Sequence, residues 1–334
     1  MLHITLNDKI LNAHRKYFES AVKPRIECPN QYIQRVYSSV QHAGGTVPLI
    51  LIAYLTIYEM CQYLNAHWMD IAIGDVPTLR RLRKEWDCKF QPLQIHKDFI
   101  NKVLLELFGY NNFSAINLGI KDWEKVRSFN ESARWSPYTF VFWSGVRVCP
   151  YCNRQYITPV ITKKRKRMRA DLDHFWPKSK YPIFSMSIYN LVPSCKFCNS
   201  SLKHEADPGI DAPHPYYEDY DQYFSFSITD KDSDNPKIII DRFDNEIKPL
   251  LDMFSIEDQY KFHGNVAKDF LIKTQLYQPK FIEALLQNST YHDAYKLLPI
   301  IVGYPINREK ITEDALGKLK RDLAIHLHFL PFDD

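Results

Sequence analysis

Two Cys-x-x-Cys knuckles constrain this 334-residue chain more than any other feature. They are Cys149-Pro150-Tyr151-Cys152 and Cys195-Lys196-Phe197-Cys198, with 42 residues between them. Cysteines at i and i+3 of a tight turn can face one tetrahedral ion. Two such knuckles supply four thiolates, which closes the coordination sphere and marks a structural rather than a catalytic site. Closing so long a loop costs about 3 kcal/mol of chain entropy. A structural zinc returns on the order of 10–16 kcal/mol. The reading is therefore a structural Zn2+ held by Cys149, Cys152, Cys195 and Cys198, with disulfides or buried free thiols as the alternatives. Cys28, Cys61 and Cys88 are scattered and expected to be buried thiols, and this cysteine usage points to a reducing cytoplasm.

The loop between the knuckles carries the candidate chemistry. Asp171, Asp173 and Phe175 alternate with Leu172, His174 and Trp176, which is strand periodicity, and Pro177 breaks it. Ile183 to Val192 is expected to return partly as a second strand, and from Lys196 onward the chain reads as helix. The predicted order is strand, loop, strand, helix, with the second knuckle at the helix start. Phosphodiester hydrolysis needs a base near neutrality to take a proton from water, which an imidazole provides. It also needs a hard cation held by oxygen ligands. Asp171 shares a strand face with Asp173 and is a reserve ligand, a salt bridge to nearby basic residues being its plainer role.

These residues resemble the HNH endonuclease family, with its ββα-metal fold. The matching pieces are Asp173-His174-x-x-Pro177, Asn190-Leu191 and Cys195-x-x-Cys198-Asn199 with Lys203 behind it, about 55 to 60 residues in the right order. The resemblance implies His174 as general base, Asp173 and Asn199 as ligands of a catalytic Mg2+ or Mn2+, and Asn190 as the brace of the loop. Many relatives have His where this chain has Asn199. The arrangement is also similar to the nuclease subunits of bacterial anti-phage systems of the Septu type. Those work beside an ATPase partner, and the similarity implies such a partner here.

Charge is concentrated on the same segment. From Cys149 to His204 there are 11 Lys/Arg against 2 Asp/Glu, whereas the whole chain is only +4. The cluster Lys163, Lys164, Arg165, Lys166, Arg167 and Arg169 is expected at a hairpin tip, and with Lys178 it is expected to contact nucleic-acid phosphates. Nothing in the segment reads bases, so DNA, or RNA as a variant, would be bound through its backbone. Residues 205–234 swing to net −8 and could shield the basic face, with Glu218 among the shielding groups.

The remainder reads as helical, giving a predominantly α protein with a small α+β insert. The divisions are 1–138, a helical N-terminal region; 139–210, the zinc-stapled module; and 211–334, an acidic connector, short strands and C-terminal helices. A helix from Ile10 to Val22 is expected to end at Pro24. Arg80, Arg81, Arg83 and Lys84 are expected on a solvated helix face, and Thr139 to Val148 as a strand or helix leading into the first knuckle. The apolar run Val47 to Leu64 carries Pro48, Glu59 and Gln62 and is read as a core helix, not a membrane span. Without an apolar leader at its start, the chain is expected to be cytoplasmic. The reading of a different class is a zinc-stapled nucleic-acid-binding scaffold that hydrolyses nothing.

Overall fold

Apolar side chains at helical spacing through the first 140 residues fold as ten α-helices in a computed structural model, which describes residues 2–41, 47–90, 97–162, 167–231, 236–242, 244–278, 311 and 313–327, with isolated positions between 280 and 303. They are α1 (Asp8–Tyr17), α2 (Lys23–Glu27), α3 (Asn30–Gln41), α4 (Val47–Ala66), α5 (Trp68–Ile73), α6 (Val76–Lys89), α7 (Lys97–Phe108), α8 (Tyr110–Ser114), α9 (Ile120–Arg127) and α10 (Pro137–Trp143). Their starts follow capping chemistry. Asn7, Asp75 and Ser136 each accept a first-turn N–H, from Ile10, Thr78 and Thr139, and Pro137 takes a first-turn place where no N–H is needed. The segment leading into the first knuckle thus begins as helix.

Pro24 does not end the first helix. A π-helical turn, Phe18–Val22, widens the chain just ahead of it, and Lys23 N–H bonds back five residues to Phe18 O. The wider turn makes room for the proline ring, and α2 continues with Pro24 in its first turn.

Three two-stranded antiparallel ladders follow. β1 (Val160–Ile161) pairs with β2 (Arg167–Met168), β3 (Asp171–His174) with β4 (Leu191–Ser194), and β5 (Phe224–Thr229) with β6 (Lys237–Arg242). Behind β4, residues Phe197–Lys203 form a π-helix. Then come α11 (Lys248–Met253), α12 (Ile256–Tyr260), α13 (Gly264–Leu276) and a terminal helix, Gly317–His326. Among the described residues, no helix is long and apolar enough to cross a membrane.

One hydrophobic core runs through all three predicted regions, from Ile4 through Trp176 to Ala324. Side-chain bonds tie them together. Arg80, expected on a solvated face, instead donates to Ile210 O, Ala212 O and Glu218. Arg83 is buried, pairs with Asp207 at 3.1 Å and lies over the Tyr181 ring. Of the basic residues on α6, Arg81 is the one in exposed ion pairs, to Asp70 and Glu85. The acidic stretch is therefore strapped to α6. Glu218 has its counter-charge there, which removes it from the shielding role. Cys28 and Cys88 are exposed, contrary to expectation, while Cys61 is buried.

His14 joins α1 to the segment between β3 and β4. Its Nε2–H donates to Met186 O at 2.7 Å, and its Nδ1 accepts from Trp135 Nε1–H at 3.3 Å. Burial lowers its pKa from 6.5 to about 4. Protonation would also set a second N–H against the Trp135 donor. Because the folded value is depressed, the stabilisation is complete above pH 6.5 and is lost as pH falls toward 4. The loss should reach about 3 kcal/mol. Urea unfolding between pH 8 and 4 should therefore show stability that is flat, then falling, and His14→Gln should flatten part of that slope. An unchanged slope in the variant would contradict this role.

Candidate functional site

The first knuckle is a tight loop closed by backbone bonds. Val148 and Tyr156 form a bridge, Cys149 N–H bonds Gln155 O, and Asn153 N–H bonds Cys149 O. Asn153 turns the chain with φ +49°, a left-handed conformation that Asn tolerates. The second knuckle sits where β4 passes into the π-helix. There Cys198 N–H points at Cys195 Sγ at 3.4 Å, and Asn199 N–H bonds Cys195 O.

The four cysteines are buried, none is in a disulfide, and their sulfurs all lie within 4.8 Å of one another. Cys152 Sγ and Cys195 Sγ are 4.0 Å apart. A tetrahedral ion with Zn–S bonds of about 2.3 Å spaces its sulfurs about 3.8 Å apart. The donor set therefore fits a structural metal such as zinc. Burial first, then the neighbouring Cys152 and Cys195, push the Cys149 thiol far above its ordinary value. A cation held by the four cysteines would offset that cost and displace the thiol protons. Among the described residues this is the one group of three or more His, Cys, Asp or Glu side chains able to hold a metal.

β3 and β4 carry the other candidates. Register pairs Asp173 with Val192 and His174 with Leu191. Asp171 and Asp173 face the π-helix, whose Asn199, Ser200 and Lys203 meet them. Asn199 Nδ2 donates to Asp171 Oδ2 at 3.2 Å, and Ser200 Oγ does so at 3.4 Å. Lys203 Nζ donates to Asp173 Oδ1 at 3.1 Å and to His174 O at 2.6 Å. Tyr151 Oη, from the first knuckle, donates to Asp173 Oδ2 at 2.7 Å. Both oxygens of Asp173 are thus engaged, and the residue is 2% exposed. Burial raises its pKa, against the pull of Lys203 and Tyr151. The expected pairing of Asp173 with Asn199 gives way to Asp171 with Asn199, because the π-helix sets position 203 opposite 173 and position 199 opposite 171.

His174 lies at the end of β3, buried. Its Nε2 lies 3.0 Å from Ser185 O. A carbonyl only accepts, so the ring proton is on Nε2 and Nδ1 keeps its lone pair. The Tyr110 ring meets the imidazole edge to face at 4.4 Å between centroids. Burial first, then the Lys178 ammonium, lowers the pKa of His174 to about 3. Lys178 also covers the Tyr110 ring, with its Nζ 4.6 Å from the centroid. Asn190 spans the loop between the strands. Its Oδ1 accepts from Trp176 N–H, and its Nδ2 donates to Trp176 O and Phe184 O.

The basic cluster is only partly described. Lys163, Lys164, Arg165 and Lys166 lie outside the described residues, between β1 and β2. Arg167 is exposed on β2. Arg169 is committed to the protein: it donates to Ala170 O and to Ser114 O and Oγ, and lies over the Tyr138 ring. It is thereby removed from the phosphate-contacting set. Sequence reasoning missed Tyr151 and Tyr110. Tyr151 had a usable signal, an aromatic hydroxyl inside a metal knuckle; Tyr110 is distant in sequence and had none.

Lys203→Met should destabilise the fold by about 3–5 kcal/mol, because it strands the Asp173 charge in the interior. Adding Asp173→Asn should recover part of the loss. Chemical denaturation of the two variants measures this, and equal stability of Lys203→Met and the parent would contradict it.

Over 96 residues the chain is 34% identical to Protein ea31 of Escherichia phage lambda. The match covers 28% of this chain and 28% of that protein, so the chain spans under a third of the relative it matches. No protein-family profile matches the chain, and no solved structure does.

Proposed function

We propose that the chain is a metal-dependent endonuclease of the HNH, ββα-metal type, which hydrolyses phosphodiester bonds in DNA. The observation that carries this reading is the strand–strand–helix unit between the two knuckles. In it a neutral imidazole, His174, and an oxygen-donor pair, Asp171 and Asn199, come from one hairpin and the helix packed on it. The four-cysteine group is read as a structural zinc site.

Each residue has a task. His174 accepts a proton from the attacking water at Nδ1, the ring nitrogen that the Ser185 bond leaves with its lone pair. Ser185 O fixes the tautomer and Tyr110 fixes the ring plane. Asp171 and Asn199 would hold a divalent ion such as Mg2+ or Mn2+, with the Asn199 amide turned to present its oxygen. Such an ion, when bound, supplies charge neutralisation at the phosphate and the leaving oxygen. Lys178 lies close enough to act on His174 electrostatically and supplies positive charge for the phosphate backbone. Arg167 extends that charge on the exposed β2 edge. The resemblance to Septu-type nuclease subunits extends the proposal to an anti-phage effector working beside an ATPase.

A second reading is a metal-stapled nucleic-acid scaffold without hydrolysis. The burial of His174, 8% exposed, and its pKa of about 3, below the near-neutral range of a general base, favour it.

Purified protein should retain about one zinc per chain after dialysis. Cys149→Ser should lose the metal and lower the melting temperature. A Cys149→Ser protein with full metal content and full stability would contradict the staple. With added Mg2+ or Mn2+ the full chain should nick supercoiled plasmid, and His174→Ala should reduce nicking by at least about 100-fold while DNA binding persists. Binding without cleavage under either ion, with an ATPase partner present, would favour the scaffold.

A further inference from the structure

We infer that Asp173, Tyr151 and Lys203 form a positioning strut that couples the seating of the two cysteine knuckles to the orientation of His174, and that Asp173 is not a ligand of the divalent ion. The consequence for turnover rests on the nuclease reading; the coupling itself does not.

The strut is defined by a single carboxylate. Tyr151 lies between Cys149 and Cys152, and its hydroxyl holds Asp173 Oδ2 at 2.7 Å. Lys203 ends the π-helix that contains Cys198, and its ammonium holds Asp173 Oδ1 at 3.1 Å. One oxygen is thus tied to each knuckle. The same ammonium donates to His174 O at 2.6 Å, so it also fixes the backbone of the next residue. All three side chains are buried. A divalent ion reaching Asp173 would have to displace a hydroxyl or an ammonium from a buried site. Asp171 is more exposed, and both its bonds, from Asn199 Nδ2 and Ser200 Oγ, fall on Oδ2, with no ammonium among them. An ion on the four sulfurs would draw the knuckles together. That would bring Tyr151 and Lys203 onto the same carboxylate and hold the end of β3 in register. His174 is then fixed at three points: its carbonyl by Lys203, its Nε2 by Ser185 O and its ring face by Tyr110.

The test uses the full chain, with metal content measured on every sample. Tyr151→Phe keeps the ring that stacks on Phe254 at 4.2 Å and removes only the hydroxyl. In nitrogen NMR of histidine-labelled protein, Tyr151→Phe should shift or broaden the His174 ring signals at unchanged metal content, and leave those of His14 in place. In plasmid cleavage, Tyr151→Phe and Asp173→Asn should lower kcat roughly ten- to a hundredfold without changing the Mg2+ concentration for half-maximal rate. Asp171→Asn should raise that concentration. If Tyr151→Phe does not fold, Lys203→Arg, which keeps the charge and moves the donor, is read the same way. An Asp173→Asn protein that needs more Mg2+ would overturn the proposal, and so would Tyr151→Phe with unaltered His174 signals. If the parent protein cleaves no nucleic acid even with an ATPase partner present, the nuclease reading fails and the NMR result alone decides the strut.

Discussion

Four buried sulfurs within 4.8 Å of one another form the donor set of a structural metal such as zinc. As thiols they bury polar hydrogens with few acceptors, and as thiolates they repel one another in a medium that screens little. A single divalent cation would resolve both problems. Its binding energy is folding energy, because no preformed site exists in the unfolded chain. Much else follows from that constraint. The knuckles must meet, so β3 and β4 must lie between them as a hairpin, and the helix leaving Cys198 must run back over the face of β3.

The flanking regions are buttresses for this unit. α1 reaches it through His14 and Met186, and α6 holds the stretch after the π-helix through Arg80 and Arg83. From the other side, Tyr260 Oη donates to Cys152 O, and Arg154 donates to Gln259 and His263. The start of the terminal helix grips Asn153: Leu316 N–H bonds its carbonyl and Lys318 N–H bonds its side chain. The first knuckle is therefore held by C-terminal elements and by Leu2, whose N–H bonds Pro150 O, and the β3–β4 loop by N-terminal helices. That explains how one continuous core crosses the three regions that composition separates.

What was legible in the residues was local. Cysteine spacing brought out the metal cluster, alternation at 171–176 brought out β3, and helical periodicity brought out most of the helices. Partner choice across the fold was not legible. Asp171 and Asp173 look equivalent in sequence, sharing a strand face. Only the pitch of the π-helix, which sets Asn199 against one and Lys203 against the other, separates a half-buried carboxylate from a fully buried one. Arg80 and Arg83 read as solvent-facing because helical charge usually is; the acidic strap that buries them lies over 120 residues away. Pro24 read as a stop because the π-turn that accommodates it leaves no local composition signal.

The most direct test of the central claim is zinc K-edge X-ray absorption on the purified full chain. The account predicts a first shell of four sulfurs at about 2.3 Å, with no nitrogen or oxygen ligand. A mixed shell, or a chain without zinc whose four cysteines are oxidised in pairs, would contradict it.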